Sequence, residues 1–313
     1  MPPPLLIKIG GAAITNKSAV ETIDHDRFQA LIRFVAAQHH RSTSIRWPSN
    51  VSGSPFPQPS SLLLVHGAGS FGHHIAKEHG LKGTNSYAVV AEEQPRQLDT
   101  ALRLGMAATR TSVRKLNGLI VEELVRHGVP AIGITPGLLV KSSRGQIHEL
   151  KRLYAAVHET LRQGMVPVLH GDVVADDAYG AVVWSGDDIV KELALFDPDQ
   201  IPPRCCFVTD VEGVFERYPL ADGEIPCVVS RIRVDRSSGE IVEPAALAVG
   251  NGSEAVAGPR ADVTGGMRNK MQAAIDMVRG GVQCVQIVGH PTIVNDAGAA
   301  WESLRGTRIE AAI

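Results

Sequence analysis

The sequence predicts an α/β fold in which a mostly parallel sheet is covered by helices. Short apolar runs of buried-strand length alternate with longer segments of helical periodicity. The sharpest polar motifs come directly after such runs, at the edge where an open α/β sheet holds its ligands. The 313 residues, 44% hydrophobic and 20% charged, suffice for one large domain or two small ones with a proper core.

The elements follow in order. Leu5–Ile9 reads as a buried strand, and a helix follows from about Asp24 to Gln38, with Phe28, Leu31, Ile32 and Val35 at helical spacing. Residues 41–60 are rich in Ser and Pro and read as an exposed insertion before the strand Leu62–His66. A long helix is expected from near Pro95, a favoured first-turn residue, to just before Gly128. The strand Ala131–Ile134 comes next, then a helix from about Glu149 to Gln163 closed by Gly164, and the strand Val166–Leu169. Asp176–Gly180, flanked by Val173-Val174 and Val182-Val183-Trp184, reads as a hairpin projecting from the main sheet. Strands at Cys206–Val208 and Cys284–Val288 flank a helix after Gly266 that carries Met267, Met271, Ile275 and Val278 on one face. Residues 250–262 read as a loop before a glycine-rich turn. A soft boundary near residue 170 divides an N-terminal half, 1–170, from a C-terminal half, 171–313, with one continuous sheet through both.

Composition excludes several classes. A net charge of -2 argues against binding nucleic acid or an anionic membrane through bulk charge. No apolar run approaches the roughly 20 residues needed to cross a bilayer, and Met-Pro-Pro-Pro runs straight into a strand pattern, leaving no room for a leader. Four cysteines show no paired metal spacing, and Cys205 and Cys206 are adjacent, a poor disulfide geometry, so a reduced, cytoplasmic compartment is expected.

The motifs carry the chemistry. After the first strand comes Lys8-Ile9-Gly10-Gly11-Ala12, where glycines let backbone N–H groups approach an anion and Lys8 stands in a strand otherwise apolar. Lys17 follows in the next turn. His66-Gly67-Ala68-Gly69-Ser70-Phe71-Gly72-His73 is neither a Walker A nor a dinucleotide fingerprint, yet it forms a small-residue cradle opening a helix with His73 in its first turn. His170-Gly171-Asp172 ends another strand. In Ser185-Gly186-Asp187-Asp188 one aspartate can cap the following helix while the other faces the site. Thr209-Asp210-Val211-Glu212-Gly213-Val214 ends a further strand, and Thr264-Gly265-Gly266 opens a helix whose Lys270 can reach back one turn. Together these suggest a site for a highly charged polyphosphate.

This ordered set, completed by Asp262-x-Thr264-Gly265-Gly266-Met267-x-x-Lys270, resembles the amino acid kinase superfamily, and within it the isopentenyl phosphate kinases, over nearly the whole chain outside 41–60. The Ser70-Phe71-Gly72-His73 segment discriminates, because related carboxylate and nucleoside monophosphate kinases lack a histidine there. The resemblance implies a three-layer αβα sandwich, the amino acid kinase fold, with an acceptor-binding N-terminal half and an ATP-binding C-terminal half. It places catalytic roles on Lys8, Lys17, His73, Asp187 and Lys270, with Asp187 orienting the lysines. It places acceptor contacts on Ala68, His73 and Gly171, and ATP contacts on Lys8, Gly10, Gly11, Ala12, Gly69, Asp210, Gly266 and Lys270. Mg²⁺ is implied as cargo of ATP with no assigned protein ligand, and a homodimer is implied. Ala68 departs from a glycine found in other members, Asn16 from a common aspartate and Arg268 from a frequent lysine, and none of these removes a required charge.

The implied activity is ATP-dependent phosphorylation of isopentenyl phosphate to the diphosphate. A fosfomycin-type phosphonate kinase shares a similar histidine and stays open as an alternative. A carboxylate kinase would want a carboxylate-binding arginine and no His73, and a nucleotide-sensing scaffold would have lost lysines that are present here. Leu98, Leu102 and Met106 are candidates for an apolar slot for the acceptor tail, or for plain core.

Overall fold

A computed structural model describes residues 5–16, 18–43, 60–84, 97–196, 204–216, 227–244 and 266–312. Their fourteen strands form a nine-stranded sheet and a separate five-stranded one. The large sheet is built around β1 (Leu5–Ile9), flanked by β10 (Arg204–Thr209) and β2 (Leu62–His66), both parallel to it. Beyond β2 lie β7 (Val166–His170) and the edge strand β4 (Ala131–Ile134), and beyond β10 lies β13 (Cys284–Gly289), all parallel. β14 (Gly306–Ala311) runs antiparallel to β13, and β11 (Arg231–Val234) and β12 (Ile241–Glu243) complete that side. The large sheet thus takes strands from both halves of the chain.

The two-residue period of a strand sorts the sides of this sheet. Leu5, Ile7 and Ile9 face a core formed with α1 (Gly11–Ile14), α2 (His25–Thr43), α4 (Thr100–Arg126) and α8 (His290–Asn295). Leu6 faces the opposite core, formed with α5 (Lys151–Arg162), α6 (Gly186–Leu195) and α7 (Gly266–Arg279). Cys205 and Phe207 alternate with Cys206 and Val208 in the same way. Both faces are covered, which is why these strands read as continuous apolar runs, and the layers form an αβα sandwich.

Several elements differ from their expected bounds. α2 continues through Arg41, Ser42 and Thr43, the first residues of the expected insertion, and 44–59 lie outside the described residues. The long helix α4 starts at Thr100 with Asp99 as N-cap, whose side chain accepts from the Leu102 amide, and Pro95 lies outside the described residues. An aspartate cap supplies the start signal that the proline was expected to give. Residues 250–262 are likewise undescribed.

The hairpin β8 (Asp172–Asp176) and β9 (Gly180–Trp184) belongs to the second sheet, ordered β3 (Lys82–Gly83), β9, β8, β5 (Lys141–Ser143), β6 (Gln146–His148). Only Gly171 separates β8 from β7. A buried ion pair ties this sheet to α4: Arg110 Nε donates to Asp172 Oδ1 at 2.9 Å, and Asp172 also accepts from the amides of Gly137 and Val173. The Asp172 side chain is fully buried. Arg110→Met would strand that carboxylate, and breaking a buried pair from one side costs about 3 kcal/mol or more. We expect a clear fall in the urea midpoint, whereas Arg126→Met, at an exposed pair with Glu122 and Glu123, should change stability by less than about 1 kcal/mol. Equal effects would show that the Arg110 pair does not anchor the hairpin.

Candidate active site

The parallel ladder continues one residue past the strand ends and so brings the glycine turns to one edge. Gly10 N–H donates to Val208 O at 2.7 Å, Gly67 N–H to Ile9 O at 2.8 Å, and Gly171 N–H to His66 O at 3.0 Å. The turns after β1 and β2 touch through their backbones. A Cβ added at Gly11 would lie 2.1 Å from Gly69 N, so only glycine fits, and Gly69 adopts φ +52, where side chains other than glycine are strained. Thr15 and Ser70 stitch the two turns together. The Thr15 hydroxyl donates to Gly11 O at 2.8 Å and accepts from Ser70 N–H at 3.0 Å, and Ser70 Oγ in turn donates to Thr22 O and accepts from Thr22 N–H.

Against this edge three charged side chains meet on the α6/α7 face. Lys8 Nζ lies 2.7 Å from Asp187 Oδ1, and Lys270 Nζ lies 3.5 Å from Asp187 Oδ2. All three residues are buried. Lys8 reaches this face because it alternates with Ile7 and Ile9, which point the other way. Asp187 is brought by the start of α6, where a Cβ added at Gly186 would lie 3.5 Å from Lys8 Cε. Lys270 folds back along α7 to donate to Gly266 O at 3.1 Å, which holds its ammonium at the helix start.

Burial pushes the Lys8 ammonium down to about 8, against the raising pull of Asp187 and with a further push down from Lys270. Burial raises the Asp187 carboxyl, but the Lys8 and Lys270 ammoniums outweigh it and hold the group below its ordinary value. Two buried ammoniums share one buried carboxylate, which leaves cationic charge that a bound anion would compensate.

The helix α6 is capped by Ser185, not by an aspartate: Ser185 Oγ accepts from Asp188 N–H at 3.1 Å and donates to Asp188 Oδ2 at 2.7 Å. This reciprocal cap leaves Asp187 free to face the lysines. Asp188 also accepts from Thr84 Oγ1 at 3.4 Å.

The other expected site residues fall as follows. Gly11 and Ala12 open α1 behind the N-cap Gly10, whose carbonyl accepts from Ala13 N–H at 2.9 Å. Ala68 follows the end of β2, and a short turn of 3₁₀ helix, Gly69–Phe71, separates it from His73, the exposed first residue of α3 (His73–Glu78). His73 therefore opens a second, separate helix and not the one begun by Gly67-Ala68-Gly69. The Gly171 amide is spent on His66 O, so Gly171 contributes close packing against Gly186, whose N lies 3.3 Å from an added Cβ, and no free donor. Asp210, half-buried at the end of β10, accepts from Thr209 Oγ1 at 3.1 Å. Lys17 and 245–265 lie outside the described residues.

Sequence reasoning quoted His66 and His170 only as parts of motifs. Both are fully buried with their rings 5.8 Å apart. Burial, with the neighbouring His170, pushes His66 down to about 3. Asn117 on α4, which donates to both His66 Nε2 and Val168 O, was not singled out. A lone asparagine on a helix face carries no motif, and its value appears only when the helix is laid on the sheet.

The described residues from Leu5 to Gly289 lie within the span, residues 3–289, that matches the amino acid kinase family. The chain belongs to that family, and it is a kinase. The isopentenyl phosphate kinase of Arabidopsis thaliana is 32% identical over 88% of this chain and 84% of its own length. That of Methanothermobacter thermautotrophicus is 29% identical over 97% of this chain and 98% of its own. Among solved structures, one described as X-ray structures of isopentenyl phosphate kinase superposes with a TM-score of 0.67 at 28% identity, covering 97% of this chain and 99% of that one.

The charge triad makes a pH prediction. Lys8 carries its charge below about pH 8 and loses it above, so kcat/KM for ATP should fall on the alkaline side near that pH. Asp187→Asn removes the interaction that raises Lys8, so the alkaline limb should move to lower pH. A limb that stays in place would separate Lys8 from Asp187.

Proposed function

We propose that this kinase transfers the γ-phosphoryl group of ATP to isopentenyl phosphate, giving isopentenyl diphosphate and ADP. The observation that carries the proposal is the buried Lys8–Asp187–Lys270 group set against interlocked glycine turns, in a chain whose relatives of like length are isopentenyl phosphate kinases.

Phosphoryl transfer asks the protein for positioning and charge stabilisation. ATP and an isoprenoid monophosphate together bring about six negative charges, and in-line approach of the two is opposed by repulsion. Lys8 and Lys270 offset it where charge gathers on the transferred oxygens, and Lys17 is assigned the same task. Asp187 holds both buried ammoniums by charge-assisted bonds. The attacking oxygen is already anionic, so the reaction needs no general base. His73 then serves as a donor to the acceptor phosphate, together with the amide of Ala68. Mg²⁺ carried on ATP would screen its phosphates. Among the described residues no three His, Cys, Asp or Glu side chains gather to hold a metal, and Asp187 is taken by two ammoniums. These residues suit an ion delivered with the nucleotide.

In this reading the N-terminal half takes the acceptor and the C-terminal half, through Asp210, Gly266 and Lys270, takes ATP, with Gly10, Gly11, Ala12 and Gly69 cradling its phosphates. A small apolar cluster of Leu81, Leu102, Val173 and Ala181, rimmed by Ala76, Leu98 and Met106, lies between α3, α4 and the hairpin. It supports an apolar seat for the five-carbon tail, although Leu102 itself is plain core. No helix among the described residues is long and apolar enough to cross a membrane, and the four cysteines are free. These are compatible with a cytoplasmic enzyme, and the same reading makes it a homodimer.

An ADP-release screen over isopentenyl phosphate, dimethylallyl phosphate, fosfomycin, UMP and N-acetylglutamate tests the proposal. Isopentenyl phosphate should give the highest kcat/KM, and a clear preference for fosfomycin or a carboxylate would overturn it. His73→Ala should lower kcat/KM for isopentenyl phosphate at least tenfold, the scale of a lost hydrogen bond to a charged group, while ATP binding measured alone stays near wild type. His74→Ala should do little, since the next residue on a helix points about 100° away. A silent His73→Ala would remove the histidine from acceptor recognition.

A further inference from the structure

The turn after β2 has its orientation fixed from below by a buried polar chain. The Val168 carbonyl can only accept, so the Asn117 atom 3.1 Å from it is Nδ2, and the same Nδ2 lies 3.1 Å from His66 Nε2. His66 Nε2 is therefore the acceptor of a neutral ring, and Nδ1 carries the proton. Nδ1 lies 3.0 Å from Gly67 O, the carbonyl of the peptide joining Gly67 to Ala68. In a trans peptide C=O and N–H point in opposite directions. Pinning the Gly67 carbonyl toward the α4 face thus turns the Ala68 N–H away from His66. His66 pairs in register with Ile9, so its ring projects on the sheet face opposite to Lys8. The Ala68 N–H is aimed toward the Lys8 side of the strand ends, and it has no hydrogen-bond partner among the described residues.

We propose that His66, locked in one tautomer by Asn117, is a positioning residue that presents the Ala68 amide to the acceptor's phosphate. The proposal rests on the phosphate-acceptor reading above. An amide held in place before the ligand arrives costs no reorganisation when charge builds on the acceptor oxygens. His170 makes the same contact one strand over, with Nδ1 3.0 Å from Gly171 O. There the next residue, Asp172, is already paired with Trp184 in the second sheet. After β2 the following amide, that of Ala68, has no such strand partner among the described residues.

The test compares His66→Asn with His66→Leu in the full chain. Asparagine can place its Nδ2–H where the ring Nδ1–H stood, so the bond to Gly67 O survives, whereas leucine fills the space and makes no such bond. His66→Leu should raise KM for isopentenyl phosphate at least tenfold with KM for ATP within about twofold of wild type. His66→Asn should keep both KM values within about threefold. Thermal melting of each variant reports any purely structural role, which would lower Tm and the active fraction while leaving the acceptor KM of the folded enzyme unchanged. An unchanged acceptor KM in His66→Leu, or equal rises in Asn and Leu, would overturn the positioning role. Wild-type enzyme run in parallel separates the two failures: if it turns over isopentenyl phosphate normally while His66→Leu keeps its KM, only this inference falls, and if wild type itself does not use isopentenyl phosphate, the acceptor reading falls with it.

Discussion

Everything at the active edge depends on one shared carboxylate. Asp187 holds two buried ammoniums, Lys8 from the middle strand of the large sheet and Lys270 from the start of α7. These come from opposite ends of the chain, so the contact exists only when β1, α6 and α7 are packed as they are. Burial works against the charged forms of Lys8 and Asp187 in isolation, and the triad survives because each charge has an opposite neighbour within reach. The arrangement leaves cationic charge beside the glycine turns. An anion arriving there meets groups already oriented, with their desolvation already met in folding.

The glycine turns supply the other half of the site, and their job is approach more than charge. Gly11 and Gly69 let two strand-end loops touch backbone to backbone, which no side-chain-bearing residue would permit. That contact, stitched by Thr15 and Ser70, holds the opening of α1 beside the turn of Ala68. The result is a rim of amides set by backbone geometry, with side chains entering only at chosen points. The amides already spent between strand ends, those of Gly10, Gly67 and Gly171, fix the edge. The ones left over are those that can serve a ligand.

Much of this was legible in the sequence because it follows from local rules. The strands Leu5–Ile9 and Leu62–His66 fall where their apolar runs lie, since strands buried on both faces are mostly apolar, and the less buried edge strand Ala131–Ile134 also falls on its apolar run. The Lys8–Asp187 contact follows what the resemblance implies, an aspartate holding Lys8 and Lys17, whereas the hold of Asp187 on Lys270 comes from the packing of α6 against α7. What escaped was set by tertiary placement. The sequence pattern makes the hairpin a projection of the main sheet, because Gly171 is too short a signal to announce a change of sheet, and the hairpin belongs to the second sheet. The cap of α6 was given to an aspartate, although Ser185 stands at the position with the stronger geometry. The resemblance puts an acceptor contact on Gly171, whose amide the register of β2 and β7 directs to His66 O. Asn117 left no trace, because its two acceptors come from strands 51 residues away in sequence.

The separation between frame and side chains explains how one architecture can serve different acceptors. In the proposed reading the groups that manage phosphate charge, Lys8, Asp187, Lys270 and the glycine turns, belong to the large sheet and the two helices α6 and α7. In that reading the groups that meet the acceptor, His73 on α3 and the apolar residues between α4 and the hairpin, hang from short elements and the smaller sheet. Arg110 and Asp172 join these two parts through a buried pair, so the acceptor side is attached to the frame without being part of it. On that reading, changing a side chain on α3 or the hairpin would alter what is recognised and leave the charge machinery intact. A change at Gly11 or Asp187 would disturb every phosphate the site holds, whatever its tail.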